Sequence, residues 1–274
     1  MLLSSTIAVA CESFTLRADA IALAAELALP LAIEQSPVPT THRLVLTGER
    51  LELRELGVGA PGPVYVDFTA GAADHRRRWG GGRQQPLARA VGLKSSAAPT
   101  VVDPTAGLGQ DAFVLACLGC PVRLVERSPV IAALLRDGLR RAMQNPDISV
   151  VVAERMSLQV ADGREYLLAL DESQWSDVIY LDPMYPHRRK TALAGKEMRL
   201  LRTLAGDDPD AAELLAVALT RARRRVVVKR PRRAPALSGP MPDARIIAPN
   251  TRFDLYMTHP KIIGKPCPTS TAMD

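Results

Sequence analysis

Residues 101–126 read VVDPTAGLGQDAFVLACLGCPVRLVE, and this stretch decides the fold. A short β-branched run, VVDP (101–104), enters a glycine turn. An apolar helical pattern follows over 110–119, and VRLVE (122–126) is a second strand. Gly107 and Gly109 let the backbone approach a ligand closely, and the helix that follows offers free N–H groups at its N-terminus. Gly107-x-Gly109-x-x-Ala112 also fits the dinucleotide pattern GxGxxG/A, with Glu126 about 20 residues on to take ribose hydroxyls. On these residues alone the ligand is either a nicotinamide dinucleotide or S-adenosylmethionine (AdoMet).

Outward from this unit the alternation continues. Downstream come a helix at 129–144 with proline in its first turn, a strand at 157–162, a short helix REYLLAL (164–170) and an apolar strand, DVIYLDP (177–183). A helix at 208–225 precedes the strands VVVKRP and FDLYMTH. Repeated βα units imply an α/β fold with a mainly parallel, doubly wound sheet. Upstream the rhythm differs: a strand at 5–11, a helix at 17–32, a hairpin at 42–56 about a TGE turn, and a strand at 63–68. A connector rich in glycine and arginine fills 69–99, with a helix near 85–93. The expected organisation is a small N-terminal α+β domain with its connector (1–98), followed by the main α/β domain (99–274).

The acids separate the two candidate ligands. Asp103 ends the first strand, Asp111 lies in the turn and Asp162 ends a later strand. An acid at Asp103 repels a pyrophosphate but attracts the cationic methionine end of AdoMet. Asp162 is placed to accept from an adenine amino group. Acids at successive strand ends share one rim, where open α/β sheets bind ligands. The same residues could instead cap helices. The set resembles the class I AdoMet-dependent methyltransferases, which implies a Rossmann-like fold with a seven-stranded sheet.

A fourth acid, Asp182, stands in LDPMYP (181–186). In that class (D/N/S)PP(Y/F) at the end of strand four serves planar exocyclic amines; here Met184 stands in place of the second proline. Such a nitrogen is a poor nucleophile because its lone pair is delocalised. The Asp182 carboxylate and the Pro183 carbonyl can accept its two protons, hold it in line and let the lone pair localise. Tyr185 would stack on the base. His187 as a general base is possible chemistry but is not required.

Lys and Arg total 35 against 29 Asp and Glu, a formal charge of +6 that is unevenly placed. Basic residues cluster around Arg76 and Arg77, in His187, Arg188, Arg189 and Lys190, and in a final run holding Lys229, Arg230, Arg232 and Arg233. Such a surface suits the phosphates of a nucleic acid. Cys117 and Cys120 form a CxxC with no second pair, so packing rather than a zinc site is expected. No disulfide framework is evident, which fits a reducing cytoplasm. The first eleven residues lack a basic n-region and read as a strand rather than a signal.

Several longer segments occur in a fixed order: DFTAGAADHRRRWGGGRQQPLARAVGLK, the 101–139 stretch, YLDPMYPHRRKTALAGKEMR, RVVVKRPRRAPAL and RFDLY. Together they resemble the RsmJ family of bacterial small-subunit ribosomal RNA methyltransferases, from about Val64 to Tyr256. The resemblance implies methylation of N2 of a guanine near the 3′ end of 16S rRNA, with AdoMet as cofactor; a cytoplasmic, metal-free monomer is the accompanying expectation. By position it carries AdoMet contacts onto Gln110 and Asp111, Glu126 and Arg127, Asp162 and Gly163, and Asp182. Gln110 stands where relatives often carry arginine, and Asp162-Gly163 where two serines can occur. The alternatives are a methyltransferase for another planar amine, such as DNA adenine or a protein glutamine, and a non-catalytic RNA-binding protein. A nicotinamide oxidoreductase is disfavoured by Asp103 and Asp111.

Overall fold

The computed structural model describes residues 7–32, 40–70, 81–93, 97–184 and 208–258. Its main body is a seven-stranded sheet. In chain order the strands are β4 (Val101–Asp103), β5 (Val122–Glu126), β6 (Met156–Val160), β7 (Val178–Leu181), β8 (Arg225–Pro231), β9 (Ala244–Ile247) and β10 (Thr251–Met257). Their spatial order is β6-β5-β4-β7-β8-β10-β9. The first five run parallel, and β10 is antiparallel to both β8 and β9. The order reverses at β4, so β4 and β7 border the crevice where such sheets take ligands.

The central strands bury both faces, as their unbroken apolar runs predict. Val101, Val122, Leu124, Tyr180 and Val227 join one apolar cluster, while Val102, Val125, Ile179, Val226 and Val228 join the other. On the first face pack α3 (Gln110–Cys117), α4 (Pro129–Ala142) and α5 (Ser149–Arg155); on the second pack α6 (Gly163–Ala169) and α7 (Ala211–Arg221). Each large side chain withdrawn from water contributes about 1.5–3 kcal/mol.

The N-terminal residues form a three-stranded sheet, β1 (Ile7–Cys11), β2 (His42–Leu46) and β3 (Leu51–Glu55), with α1 (Arg17–Glu26) between the first two. β1 and β2 are parallel, and β2 and β3 form the expected hairpin. This sheet has no separate large core: the first cluster runs from Leu44 and Leu53 through Val66 and Phe68 into Phe113 and Leu134. Phe68 stacks on Phe113 with ring centroids 4.7 Å apart. A Cβ at Gly138 of α4 would stand 2.4 Å from Val66 Cγ1, and Leu51 N–H donates to Asp137 Oδ2 at 3.1 Å.

Some elements depart from the sequence reading. The expected strand at 63–68 is only a bridge between Val64 and Leu53. Pro61 and Pro63 beside it lack the N–H groups a ladder needs, although Val64, Val66 and Phe68 still alternate inward. The first helix stops at Glu26, followed by Ala28 in the left-handed region (φ 51°) and then Pro30. α5 was not expected, because its Val150-Val151-Val152 run disfavours helix. Edge strand β9 also escaped the reading. α2 (Pro86–Ala90) lies within the expected 85–93.

Candidate active site

The rim formed by the ends of β4, β5, β6 and β7 collects the acids. β4 stops at Asp103, where Pro104 cannot extend the ladder. Asp103 Oδ1 accepts from the Thr105 N–H (3.0 Å) and hydroxyl (3.1 Å). The Thr105 oxygen in turn accepts from the Asp182 N–H at 2.8 Å, which fastens the end of β4 to that of β7. Asp103 is only 3% exposed. Burial, helped by the nearby Asp182 and Asp111 charges, raises its pKa to about 7.

The two turn glycines do different work. Both have positive φ, 54° at Gly107 and 71° at Gly109. At Gly107 an added Cβ would meet only Thr105 O, at 4.0 Å, so that side of the turn is open. At Gly109 it would stand 2.8 Å from Leu135 Cδ1 and 3.2 Å from Leu124 Cδ2. The turn is therefore open at Gly107, while Gly109 lies packed against Leu135 and Leu124. Gly163 is also a packing glycine, since a Cβ there would lie 2.5 Å from Pro104 O.

Glu126 is buried, which raises its pKa, and each oxygen already holds a backbone donor. Oε2 accepts from Gly107 N–H at 2.9 Å and Oε1 from Ser128 N–H at 2.8 Å. It thus shapes the glycine turn and keeps one further lone pair on each oxygen. Asp162 is the N-cap of α6: its Oδ1 accepts from Arg164 N–H (2.9 Å) and Glu165 N–H (3.1 Å), while Oδ2 has no partner among the described residues. The capping role weighed from the sequence is present at this position. Gln110 opens α3, half-buried beside the turn.

On the other side of β4 the acids meet side chains. Asp111 Oδ2 accepts from the Tyr180 hydroxyl at 2.5 Å and from Lys229 Nζ at 2.8 Å. Lys229 Nζ also donates to Asp182 Oδ2 at 2.8 Å. The β7–β8 register explains the meeting: Leu181 pairs with Val228, so Asp182 and Lys229 leave the sheet level with each other. Burial works against the Lys229 charge, but the Asp182 and Asp111 carboxylates outweigh it and hold its pKa above the ordinary value. Burial raises Asp182, and Lys229 opposes that rise. Pro183 follows, buried, and then Met184, whose N–H donates to Asp208 Oδ2 at 2.5 Å. Asp208 and Asp210 both pair with Arg127, so the end of β5 is tied to the LDPM segment.

Two residues expected on an RNA-facing surface are corrected. Lys229 turns into the carboxylate cluster. Arg230 is 4% exposed and donates to Pro235 O (3.1 and 3.2 Å), holding the loop after β8. Arg232 and Arg233 are exposed at the rim end of β8. The arginines at its other end are structural: Arg223 donates to Glu172 O and Ser173 O, and Arg225 to Ala90 O. Arg76, Arg77, Tyr185, His187, Arg188, Arg189 and Lys190 lie outside the described residues. Sequence reasoning passed over Thr105, Tyr180 and Asp208. No motif marks them, although Thr105 and Tyr180 each lie two residues from a quoted acid, Asp103 and Asp182.

The described rim offers mainly acceptors, together with an open glycine turn, and so suits a ligand carrying positive charge and hydroxyl or amino donors. A family model described as "Putative SAM-dependent methyltransferase" matches residues 25–258. The chain is 56% identical over 243 residues to a ribosomal RNA small subunit methyltransferase J of Thioalkalivibrio sulfidiphilus, covering 89% of this chain and 94% of that one. It is 48% identical over 258 residues to the protein of that name in Coxiella burnetii, covering 94% and 99%. Among solved structures it is similar to a SAM-dependent methyltransferase from Neisseria gonorrhoeae, with a TM-score of 0.70, 37% identity, and 93% and 96% of the two chains covered.

Proposed function

We infer the reaction from one premise: the chain belongs to the ribosomal RNA small subunit methyltransferase J family of SAM-dependent methyltransferases. It is an AdoMet-dependent rRNA methyltransferase. The finer reading is transfer of the methyl group to N2 of a guanine near the 3′ end of 16S rRNA, in a monomeric cytoplasmic enzyme. The observation that carries it is the junction of β4 and β7. The acceptor pair Asp182-Pro183 is fastened through Thr105 to the glycine turn of the cofactor side.

The residues present fit AdoMet. Gly107 leaves open space beside the turn. Asp103 would face the cationic methionine end, the spare lone pairs of Glu126 the ribose hydroxyls, and Asp162 Oδ2 the adenine amino group. By the same reading Gln110, Asp111, Arg127 and Gly163 would contribute to the cofactor site. AdoMet, when bound, supplies an activated methyl on a sulfonium. The chain positions the acceptor: Asp182 Oδ1 and the Pro183 carbonyl take the two amino protons of the base, and Asp182 receives the proton that the nitrogen must lose on methylation. Tyr185 stacks on the base. Catalysis is then orientation and electrostatics, with no covalent enzyme intermediate. Arg232 and Arg233, with Arg76, Arg77 and residues 187–190, would bind the RNA backbone.

The test is mass spectrometry of small-subunit rRNA from a strain lacking the gene, before and after incubation with protein and AdoMet. We expect one N2-methylguanine to be absent and then restored near the 3′ end. Full modification without the gene would overturn the assignment.

A further inference from the structure

Lys229 is the one cation bonded to the rim carboxylates Asp111 and Asp182 among the described residues. It bridges Asp111, at the start of α3, to Asp182, after β7. Two of its three ammonium protons are committed, at 2.8 Å each. Asp111 is itself fixed by the buried Tyr180 hydroxyl, so the anchor for Lys229 is rigid. Asp182 gives Oδ2 to Lys229, and its Oδ1 has no partner among the described residues.

The edge of guanine that carries N2 also carries N1–H, so it presents two donors side by side. An ionised carboxylate is acceptor-only, whereas a protonated one turns a donor toward them. We propose that Lys229 is the positioning residue of the acceptor site: tied to Asp111 and Asp182, it aims Asp182 and keeps it an acceptor-only group for the donor edge of the target guanine. This rests on the reading of Asp182 as the residue that holds the amine.

The groups facing Asp182 are Asp103 from β4, Asp111 from α3, Tyr180 from β7, and Lys229 and Arg230 from β8. Burial, Asp111 and Asp103 all favour protonation of Asp182. Lys229 and Arg230 oppose it, and only Lys229 is bonded to it. Without Lys229 the carboxylate takes up a proton at higher pH, so the acidic limb of the kcat–pH profile moves upward.

The experiment compares wild type, Lys229→Met and Lys229→Arg on small subunits from a strain lacking the modification. It measures kcat across pH, AdoMet affinity by calorimetry and fold by circular dichroism. For Lys229→Met we expect kcat at neutral pH to fall about a hundredfold. Its acidic limb should move up by about one pH unit or more, with AdoMet still bound. Lys229→Arg keeps the charge, so its limb stays where the wild type has it while kcat is reduced. Should Lys229→Met not fold, Lys229→Gln takes its place with the same expected shift. An unshifted limb in the folded neutral variant, or a limb displaced in Lys229→Arg, overturns the proposal. Wild-type enzyme that forms no N2-methylguanine would sink the parent reading instead.

Discussion

Of the five carboxylates at the rim, all but Asp103 fall into two pairs that are held in two ways. Toward β5 and β6, Glu126 and Asp162 accept backbone N–H groups of the turns that follow their strands. Toward β7 and β8, Asp111 and Asp182 share a lysine ammonium, and Asp111 also a buried tyrosine hydroxyl. The first pair is built into the backbone and gives the crevice its shape. The second pair is tied to side chains of neighbouring strands, Lys229 of β8 and, for Asp111, Tyr180 of β7. On the proposed reading, shape on the cofactor side and chemistry on the acceptor side should be separable by mutation.

The sharpest break of that comparison is Asp182→Ala. It should lower kcat by about a thousandfold or more while calorimetry still finds AdoMet bound and the melting temperature stays near wild type. Retained activity would remove Asp182 from the chemistry. Glu126→Ala should act the opposite way. It strands the Gly107 and Ser128 donors, costs about 2–3 kcal/mol and lowers the melting temperature by about 5–10 °C, with AdoMet affinity falling alongside. A variant as stable as wild type would show that the turn does not depend on this carboxylate. Asp162→Ala is the milder case on the same side: loss of an N-cap, about 1 kcal/mol, read by denaturant unfolding, with weaker AdoMet binding. Smallest should be Arg232→Glu with Arg233→Glu. The KM for the ribosomal substrate should rise and become less sensitive to salt while AdoMet affinity is unchanged. An unchanged KM would mean that this end of β8 faces away from the RNA.

Much of the fold is legible because it is local. The glycine turn, the proline stops after Asp103 and Asp182, and the apolar runs of β4, β5, β7 and β8 each declare themselves within a few residues. The acids were legible as a rim because strand ends recur with the βα period. What stayed hidden depends on partners far away in the chain. Lys229 lies in a basic run and reads as surface; its carboxylates are 118 and 47 positions away. Arg230 disappears inward for the same kind of reason, meeting a carbonyl of a loop whose path no pattern announces. Thr105 is an ordinary turn residue until β7 is placed beside β4. Segment 63–68 has the alternation of a strand, and its inward residues are buried as that pattern predicts. Whether a ladder forms depends also on backbone donors, which Pro61 and Pro63 lack and alternation does not report.

The packing of Val66 against Gly138, and of Phe68 against Phe113, has a consequence for anyone who would shorten the molecule. The catalytic half looks self-sufficient on paper, with every rim residue after position 100. Yet the face of α4 around Gly138 and the ring of Phe113 are covered from the other half of the sequence. Cutting at the apparent boundary would bare an oily stripe on the helix whose first turn abuts Glu126. A trimmed enzyme would need that stripe repainted with polar residues before it could be used alone. The N-terminal residues thus keep an apolar face of the other half out of water.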